Sequence, residues 1–190
     1  MAKTYVFLAD GFEDVEALAP VDILRRGGVE VVTVSIMDSQ LVTSAHGVTV
    51  VADTTFEEAG TMGDADLLVL PGGMPGAANL AAHNGLCQAL VNQAEQGRRI
   101  AAICAAPAVV LAPLGLLDGK KATCYPGFEK SFTTTTTYTA DLVTVDGLVT
   151  TGCGPGAAMA FGYELLSQLV SNKVAEVLKE GMRYNQLMGM

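Results

Sequence analysis

The sequence predicts an α/β fold with a mainly parallel sheet, and three features indicate this class. Short apolar runs rich in β-branched residues recur along the chain, and several are followed by segments with helical spacing. At 190 residues and 50% hydrophobic content, the chain is long enough to bury one sizeable core. One of the runs ends at a cysteine that opens a further helical segment. The predicted strands are 4–9, 29–36, 67–70, 100–103 and 148–151.

The first helix is predicted over residues 14–26. Acidic residues lie in its first turn, basic residues lie in its last turn, and Gly27-Gly28 ends it. Further helices are predicted at 76–97, in two pieces broken near Asn84-Gly85, and at 105–111, 157–171 and 172–180.

Two hairpins are predicted outside the parallel core. The pattern from residue 41 to 51 indicates a turn at His46-Gly47, and Asp146-Gly147 lies between two apolar runs. The five threonines at 133–137 are predicted to be exposed extended chain, and residues 186–190 to be a tail or a packing segment. The whole chain, 1–190, is interpreted as one domain.

Composition excludes several classes of partner. The formal net charge is −9, and no Lys/Arg cluster interrupts the acidic background, so nucleic acid and anionic membranes are not expected as partners. No stretch suits a bilayer span or a secretory signal. The four cysteines lie far apart without a C-x-x-C pair, which argues against a disulfide scaffold and predicts a cytoplasmic protein. With two histidines and no dinucleotide fingerprint, neither a metal nor another cofactor is expected.

Cys104 is the main candidate nucleophile. Residues 102–106 (AICAA) match a nucleophile elbow, G-x-S-x-G, with Cys for Ser and Ala for both glycines. A helix beginning at Ala105 would direct unpaired N–H groups and the positive end of its dipole at the sulfur, which favours the thiolate. The alternative is a buried core cysteine, since free cysteines are often buried.

Other candidate groups follow the predicted strands, because ligands of such sheets bind outside the carboxyl ends of the strands. Glu16 would begin the first helix, and a carboxyl in a partly apolar pocket beside a thiolate has a raised pKa and can donate a proton. Glu13 or Asp14 could serve equally, and a carboxylate at a helix start can simply satisfy the dipole. The N–H of Gly73 in Gly72-Gly73 and that of Ala105 are candidates for an oxyanion hole, the alternative being a turn.

Together these motifs resemble the ThiJ/PfpI family, in the branch of the Parkinson-disease-associated protein deglycase. The resemblance covers almost the whole length, and the motifs occur in the family's order. The matching stretches are 8–16 (LADGFEDVE), 20–28 (PVDILRRGG), 70–73 (LPGG), 101–107 (AAICAAP) and 154–156 (GPG). The resemblance implies a flavodoxin-like three-layer sandwich and a homodimer. It also implies a readily oxidised elbow cysteine, Cys104, hydrogen-bonded by a protonated glutamate, Glu16.

The resemblance further implies a glutathione-independent enzyme of the glyoxalase or deglycase type. Its substrates would be reactive dicarbonyls such as methylglyoxal, or their early adducts on proteins and nucleotides, and its product a hydroxy acid. The alternative is a redox-responsive sensor or holdase chaperone that works through oxidation of Cys104.

Two positions depart from the family pattern. Several relatives carry a histidine near the cysteine where this chain has Tyr125, so a Cys-His dyad is not available there, and Tyr125 could orient substrate or simply pack. Some relatives carry an arginine near the dimer interface where this chain has His46, which leaves Arg26 as the main candidate for an anion contact. Cys124 could resolve an oxidised Cys104 as a disulfide, or be a spectator thiol.

Overall fold

Seven strands form one sheet, and helices cover both of its faces. The computed structural model describes residues 1–189. The strands, numbered in chain order, are β1 (Lys3–Leu8), β2 (Glu30–Ser35), β3 (Leu41–Thr43), β4 (Thr49–Val51), β5 (Thr54–Thr55), β6 (Leu67–Leu70), β7 (Arg99–Ile103), β8 (Lys121–Ala122), β9 (Thr137–Tyr138), β10 (Val143–Asp146) and β11 (Val149–Gly152). The helices are α1 (Asp14–Arg26), α2 (Phe56–Ala59), α3 (Gly76–Ala82), α4 (Asn84–Glu95), α5 (Ala158–Leu169), α6 (Asn172–Gly181) and α7 (Tyr184–Leu187).

The strand order is β10-β11-β7-β6-β1-β2-β5, and only the β10–β11 pair is antiparallel. The central strands β1, β6 and β7 are almost wholly buried, because helices cover both faces of the sheet. The crossover from β1 to β2 runs in the opposite direction from that between β6 and β7, so right-handed connections place α1 and the α3–α4 pair on opposite faces. Helix α5 packs on α1 and completes a three-layer sandwich.

These elements confirm the predicted α/β class and most of the predicted segments. All five predicted strands occur within two residues of their expected bounds, and α1 has the predicted bounds. The predicted helix at 76–97 is broken at His83, which caps α4 by accepting a hydrogen bond from the Leu86 N–H. The segment predicted as a helix over 105–111 instead contains a π-helical turn, Pro107–Leu111.

Three predictions are corrected by the structure. The hairpin around Asp146-Gly147 does not lie outside the sheet, because its strands β10 and β11 form the edge next to β7. The threonine run is exposed but not extended before Thr137, since Thr133 to Thr136 turn back on the loop that precedes β8 and Thr133 donates to Asp118 at 2.7 Å. The C-terminal segment contains helix α7, which ends at Leu187, while Met190 lies outside the described residues.

Within residues 1–189, no helix is both long enough and apolar enough to cross a bilayer.

The packing of α5 on α1 generates a prediction about Gly162. A methyl group at Gly162 would lie 2.8 Å from Cδ1 of Ile23 and 3.2 Å from Cα of Pro20, whereas one at Gly181 in α6 meets nothing within 4 Å. Both substitutions to alanine gain about 0.5–1 kcal/mol of helix propensity. We expect Gly181→Ala to raise the free energy of unfolding by this amount. We expect Gly162→Ala to lower it by about 1 kcal/mol, because overpacking outweighs that gain.

Urea unfolding of the two variants beside the unmodified chain measures this difference. Equal effects of the two substitutions would contradict the close packing of α1 on α5.

Candidate active site

Cys104 lies directly after β7 in a left-handed backbone conformation, with φ of +64°. A left-handed conformation is unfavourable for a residue with a side chain and persists only where the surroundings enforce it. Here its N–H donates to the carbonyl of Gly152 at 2.9 Å, and its carbonyl accepts from the N–H of Tyr125 at 2.8 Å. The turn is therefore the tight elbow that the small residues of the sequence predict, and it leaves the cysteine 8% exposed.

Glu16 lies in the first turn of α1 and is fully buried. Glu13 caps this helix by accepting a hydrogen bond from the Glu16 N–H at 2.9 Å, which fixes the start of the helix. The Glu16 Oε2 atom accepts from the Gly72 N–H at 3.0 Å. Its Oε1 atom is buried and makes no hydrogen bond of regular geometry, yet the carboxyl and the Cys104 thiol are close enough to shift each other's pKa.

The loop after β6 presses its backbone against this pair. A methyl group at Gly72 would lie 2.6 Å from the Cβ of Cys104 and 2.7 Å from Oε2 of Glu16. Gly73 adopts a φ of +86°, and a methyl group there would lie 2.4 Å from the backbone nitrogen of Glu13. Both positions therefore require glycine, and the close approach brings the N–H of Gly73 to the sulfur of Cys104.

Both groups of the pair have raised pKa values. Burial is the main cause that raises the pKa of Glu16 to about 7, as the sequence predicts in direction. Burial, followed by the negative charge of Glu16, raises the pKa of the Cys104 thiol to about 12, although the N–H groups of Gly73 and Ala105 lower it. The expectation that the following helix lowers the thiol pKa is therefore wrong, because burial and the Glu16 carboxylate outweigh the two N–H groups. When Glu16 is protonated, its negative charge no longer contributes to the raised pKa of the thiol.

The sulfur opens onto a small cavity of about 150 Å³. Its lining residues are Gly73, Met74, Cys104, Ala105, Tyr125 and Phe128. The Tyr125 ring packs edge-on to Phe128, with centroids 6.3 Å apart, and lies against Gly154. Sequence reasoning missed Met74 and Phe128, since Phe128 reaches the cavity through an irregular loop that no periodicity identifies.

His46 and Arg26 do not line this cavity. The Nδ1 atom of His46 lies 2.7 Å from Oδ2 of Asp14, an interaction that raises the pKa of the imidazole. Arg26 donates to Asp22 at 2.8 Å, ten residues beyond Glu16 and so roughly 15 Å further along α1. Cys124 is fully buried, and burial raises the pKa of its thiol to about 12, which disfavours the thiolate needed for exchange.

One group among residues 1–189 has enough closely spaced donor atoms to hold a metal ion. It consists of Glu13, Asp14 and His46, whose donor atoms lie within 4.8 Å of one another. These atoms already make protein contacts, since Glu13 caps α1 and Asp14 accepts from Ser44 at 2.6 Å. We therefore assign no metal to this group.

The fold and the site together define a class: an α/β protein with a buried cysteine–glutamate pair at a nucleophile elbow. Residues 2–168 match the DJ-1/PfpI family, and the chain belongs to this family.

Known relatives extend this similarity over most of the chain. Protein DJ-1 homolog B of Arabidopsis thaliana is 39% identical over 173 residues, which are 91% of this chain but only 39% of that protein's length. A Pyrococcus abyssi protein named as a deglycase is 30% identical over 168 residues, covering 88% of this chain and 99% of the relative. The structure of oxidized Toxoplasma gondii DJ-1 superposes with a TM-score of 0.91 at 36% identity, covering 96% of this chain and 98% of the other.

The raised pKa of Glu16 generates a prediction about stability. The folded protein binds this proton more tightly than the unfolded chain, so stability falls as pH rises from about 4.5 to about 7, by about 3 kcal/mol in total. We expect Glu16→Gln to remove this part of the pH dependence. Urea unfolding across this pH range measures it.

Glu57→Gln is the matched control, because Glu57 is exposed and should leave the profile unchanged. A wild-type profile that Glu16→Gln does not flatten would show that Glu16 has an ordinary pKa in the folded protein.

Proposed function

We propose that the protein is a cofactor-independent enzyme that converts reactive dicarbonyls, such as methylglyoxal or its early adducts, into hydroxy acids. The observation that carries this proposal is the buried Cys104–Glu16 pair, with the N–H groups of Gly73 and Ala105 directed at the sulfur. One proton shared by an acid and a thiol supplies both a nucleophile and a general acid without a metal or glutathione.

The reaction proceeds through a covalent intermediate on Cys104. The Glu16 carboxylate takes the thiol proton, and the thiolate attacks the aldehyde carbon of methylglyoxal to form a hemithioacetal. The Gly73 and Ala105 N–H groups stabilise the oxyanion as it forms, and Glu16 then delivers its proton to it. The resulting Glu16 carboxylate removes the hydrogen from C1, the proton of the C1 hydroxyl passes to the C2 oxygen, and Glu16 returns its proton to C2, which gives a thioester. Water hydrolyses the thioester, which releases lactate and restores the thiol.

The cavity supports a small, uncharged substrate. Its volume of about 150 Å³ suits a molecule of a few heavy atoms, and none of its lining residues carries a charged side chain. Met74 and Phe128 offer apolar contacts to the methyl group, and the Tyr125 hydroxyl is available to orient a carbonyl. The deglycase name of the Pyrococcus abyssi relative agrees with this class of chemistry.

Turnover in heavy water tests the mechanism directly. We expect reduced, metal-free and glutathione-free protein to consume methylglyoxal and to form lactate, with Cys104→Ser and Glu16→Gln each lowering the rate by at least about 100-fold, the scale of general acid–base catalysis. In D₂O, proton relay through Glu16 incorporates solvent deuterium at C2 of lactate. Mass spectrometry of the product measures the incorporation.

The controls separate chemistry from folding and binding. Tyr125→Phe removes only the hydroxyl, so we expect a raised KM with a smaller change in kcat. If the hydrogen at C2 of lactate came from the substrate, the hydrogen would move by a hydride shift and not through Glu16. Absence of lactate from reduced protein would overturn the enzymatic proposal altogether.

The second candidate function is redox sensing or chaperone activity through oxidation of Cys104. The observation that favours it is the unpartnered Glu16 Oε1, which, once protonated, can donate to an oxygen on an oxidised sulfur. Glu16→Gln discriminates the two: an enzyme loses turnover and keeps a reactive thiol, whereas a sensor mainly changes its oxidation behaviour.

We also propose that the chain forms a homodimer. Apolar side chains are exposed on α1 at Val15 and Leu18, and on the β3–β4 hairpin at Leu41, Val48 and Val51. Hydrogen bonds from Ser44 and His46 to Asp14 hold the hairpin beside the start of α1. A second copy of this chain would bury these side chains.

Val51 and Val177 provide a matched pair for testing the dimer, since they are 69% and 68% exposed on different surfaces. We expect Val51→Glu to weaken association by placing an unpaired charge in the interface, and Val177→Glu to have no effect. Light scattering after size exclusion measures the mass of each variant. A dimer retained by Val51→Glu, or a wild-type monomer, would contradict this surface.

A further inference from the structure

Four of the basic residues that lack an acidic partner lie near one edge of the sheet. Within residues 1–189, salt bridges involve only Lys3, Arg25, Arg26, Lys179 and Arg183 among the lysines and arginines. Of the remaining ones, Arg98-Arg99 and Lys120-Lys121 lie at the starts of β7 and β8. The two pairs are separated in sequence, and the fold brings Arg98 and Lys120 to the same cleft.

This edge lies across the sheet from the thiol. Arg99 is the first residue of β7, and Cys104 follows its last residue. Five residues of extended strand span roughly 16 Å, so a ligand at Arg99 does not reach the Cys104 cavity. Any site at this edge is therefore separate from the one that carries the proposed function.

Arg99 lines a cleft with a volume of about 510 Å³. Its backbone is fixed, because its N–H donates to the Asp66 carbonyl at 3.3 Å and its carbonyl accepts from Gln93 at 3.2 Å. Its guanidinium group, in contrast, makes no hydrogen bond to any residue among 1–189, and the Nε atom is buried without a partner. A guanidinium offers five N–H donors, so redirecting this group toward a ligand breaks no protein hydrogen bond.

The other polar side chains of the cleft are already engaged. The Asp66 carboxylate accepts from the Lys3 backbone N–H at 2.8 Å. The Gln168 side chain bonds to Thr150 and Glu164. Arg98 donates to the carbonyl of Gly63, and its remaining donors lie between this cleft and a neighbouring one of about 430 Å³ that Lys120 also lines. Arg99 is thus the one basic side chain here without a protein acceptor among the described residues.

The chemistry of these groups selects the ligand. A planar guanidinium matches the two oxygens of a phosphate or carboxylate, and charge-assisted bonds of this kind are about twice as strong as neutral ones. Asp66 in the cleft and the net charge of −9 both oppose a weakly held anion. A dianion gains most from more than one nearby cation, and Arg98 lines the cleft beside Arg99.

We propose that the Arg99 cleft binds the phosphate group of a small ligand, with Arg99 as its main anchor and Arg98 as a supporting charge. This is a second binding site, at the amino-terminal edge of the sheet. It is independent of the thiol chemistry, and substitution of Cys104 leaves it unchanged.

Titration with inorganic phosphate, followed by ¹H–¹⁵N NMR at constant ionic strength against chloride, tests the site. We expect saturable shifts at the amides of Gly97, Arg98 and Arg99, and none at Cys104 or Ala105. A phosphate monoester, glycerol phosphate, is the second probe and should shift the same amides. Shifts that do not saturate, or that centre on the Cys104 cavity, would overturn the proposal.

Three variants assign the binding to Arg99. We expect Arg99→Gln to weaken phosphate binding at least tenfold. We expect Arg99→Lys to give an intermediate loss, because lysine keeps the charge but lacks the paired N–H donors of the guanidinium. Lys130→Gln removes an exposed charge that also lacks an acidic partner among residues 1–189 but lies two residues after Phe128, at the opposite edge of the sheet, and we expect no effect. Equal losses in Arg99→Gln and Lys130→Gln would show that only net charge matters and would refute the site. Arg99→Lys keeps the test decisive if Arg99→Gln does not fold.

Discussion

The close approach of the Gly72-Gly73 backbone to Cys104 and Glu16 is the constraint on which the site depends. No side chain fits at Gly72, and at Gly73 a side chain would collide with the backbone of Glu13. The left-handed turn at Cys104 is held from the other side by Gly152 and by the N–H of Tyr125. Three strand ends and the start of α1 therefore converge on one sulfur atom, which explains why the thiol is fixed so tightly in a strained conformation.

This geometry turns two buried groups into one protonation unit. Burial favours the neutral form of both the thiol and the carboxyl, and the charge of Glu16 raises the thiol pKa further, whereas the contact with Cys104 lowers the pKa of Glu16. Glu16 therefore loses its proton before the thiol does, since its pKa is about 7 and that of the thiol about 12. The backbone N–H groups of Gly73 and Ala105 stabilise the thiolate, and so lower the cost of moving the thiol proton onto Glu16. Because a backbone amide does not titrate in this range, this stabilisation persists across the pH range in which Glu16 changes charge.

The sequence predicts the sheet and the reactive centre more fully than the walls of the cavity. Strands such as 67–70 are short apolar runs, and Gly27-Gly28 marks the end of α1, so local signals suffice for them. The start of α2 has a local signal of a different kind, the capping box of Thr55 and Glu58, which hydrophobic periodicity does not contain. The antiparallel edge formed by β10, and the position of Phe128 over the thiol, depend on long-range packing that periodicity does not encode. The same holds for the raised thiol pKa, since a sequence pattern contains no measure of burial.

The two edges of the sheet differ in how they present positive electrostatic potential. At the carboxyl edge, the sulfur is faced by backbone dipoles and by an acid, with no basic side chain in the cavity lining. Basic side chains without carboxylate partners lie at the opposite edge, around Arg99. A permanent cation beside Cys104 would lower the thiol pKa, but it would also stabilise the Glu16 carboxylate and so remove the acid that the proposed relay needs. The proposed proton relay therefore requires a cavity lining without basic side chains.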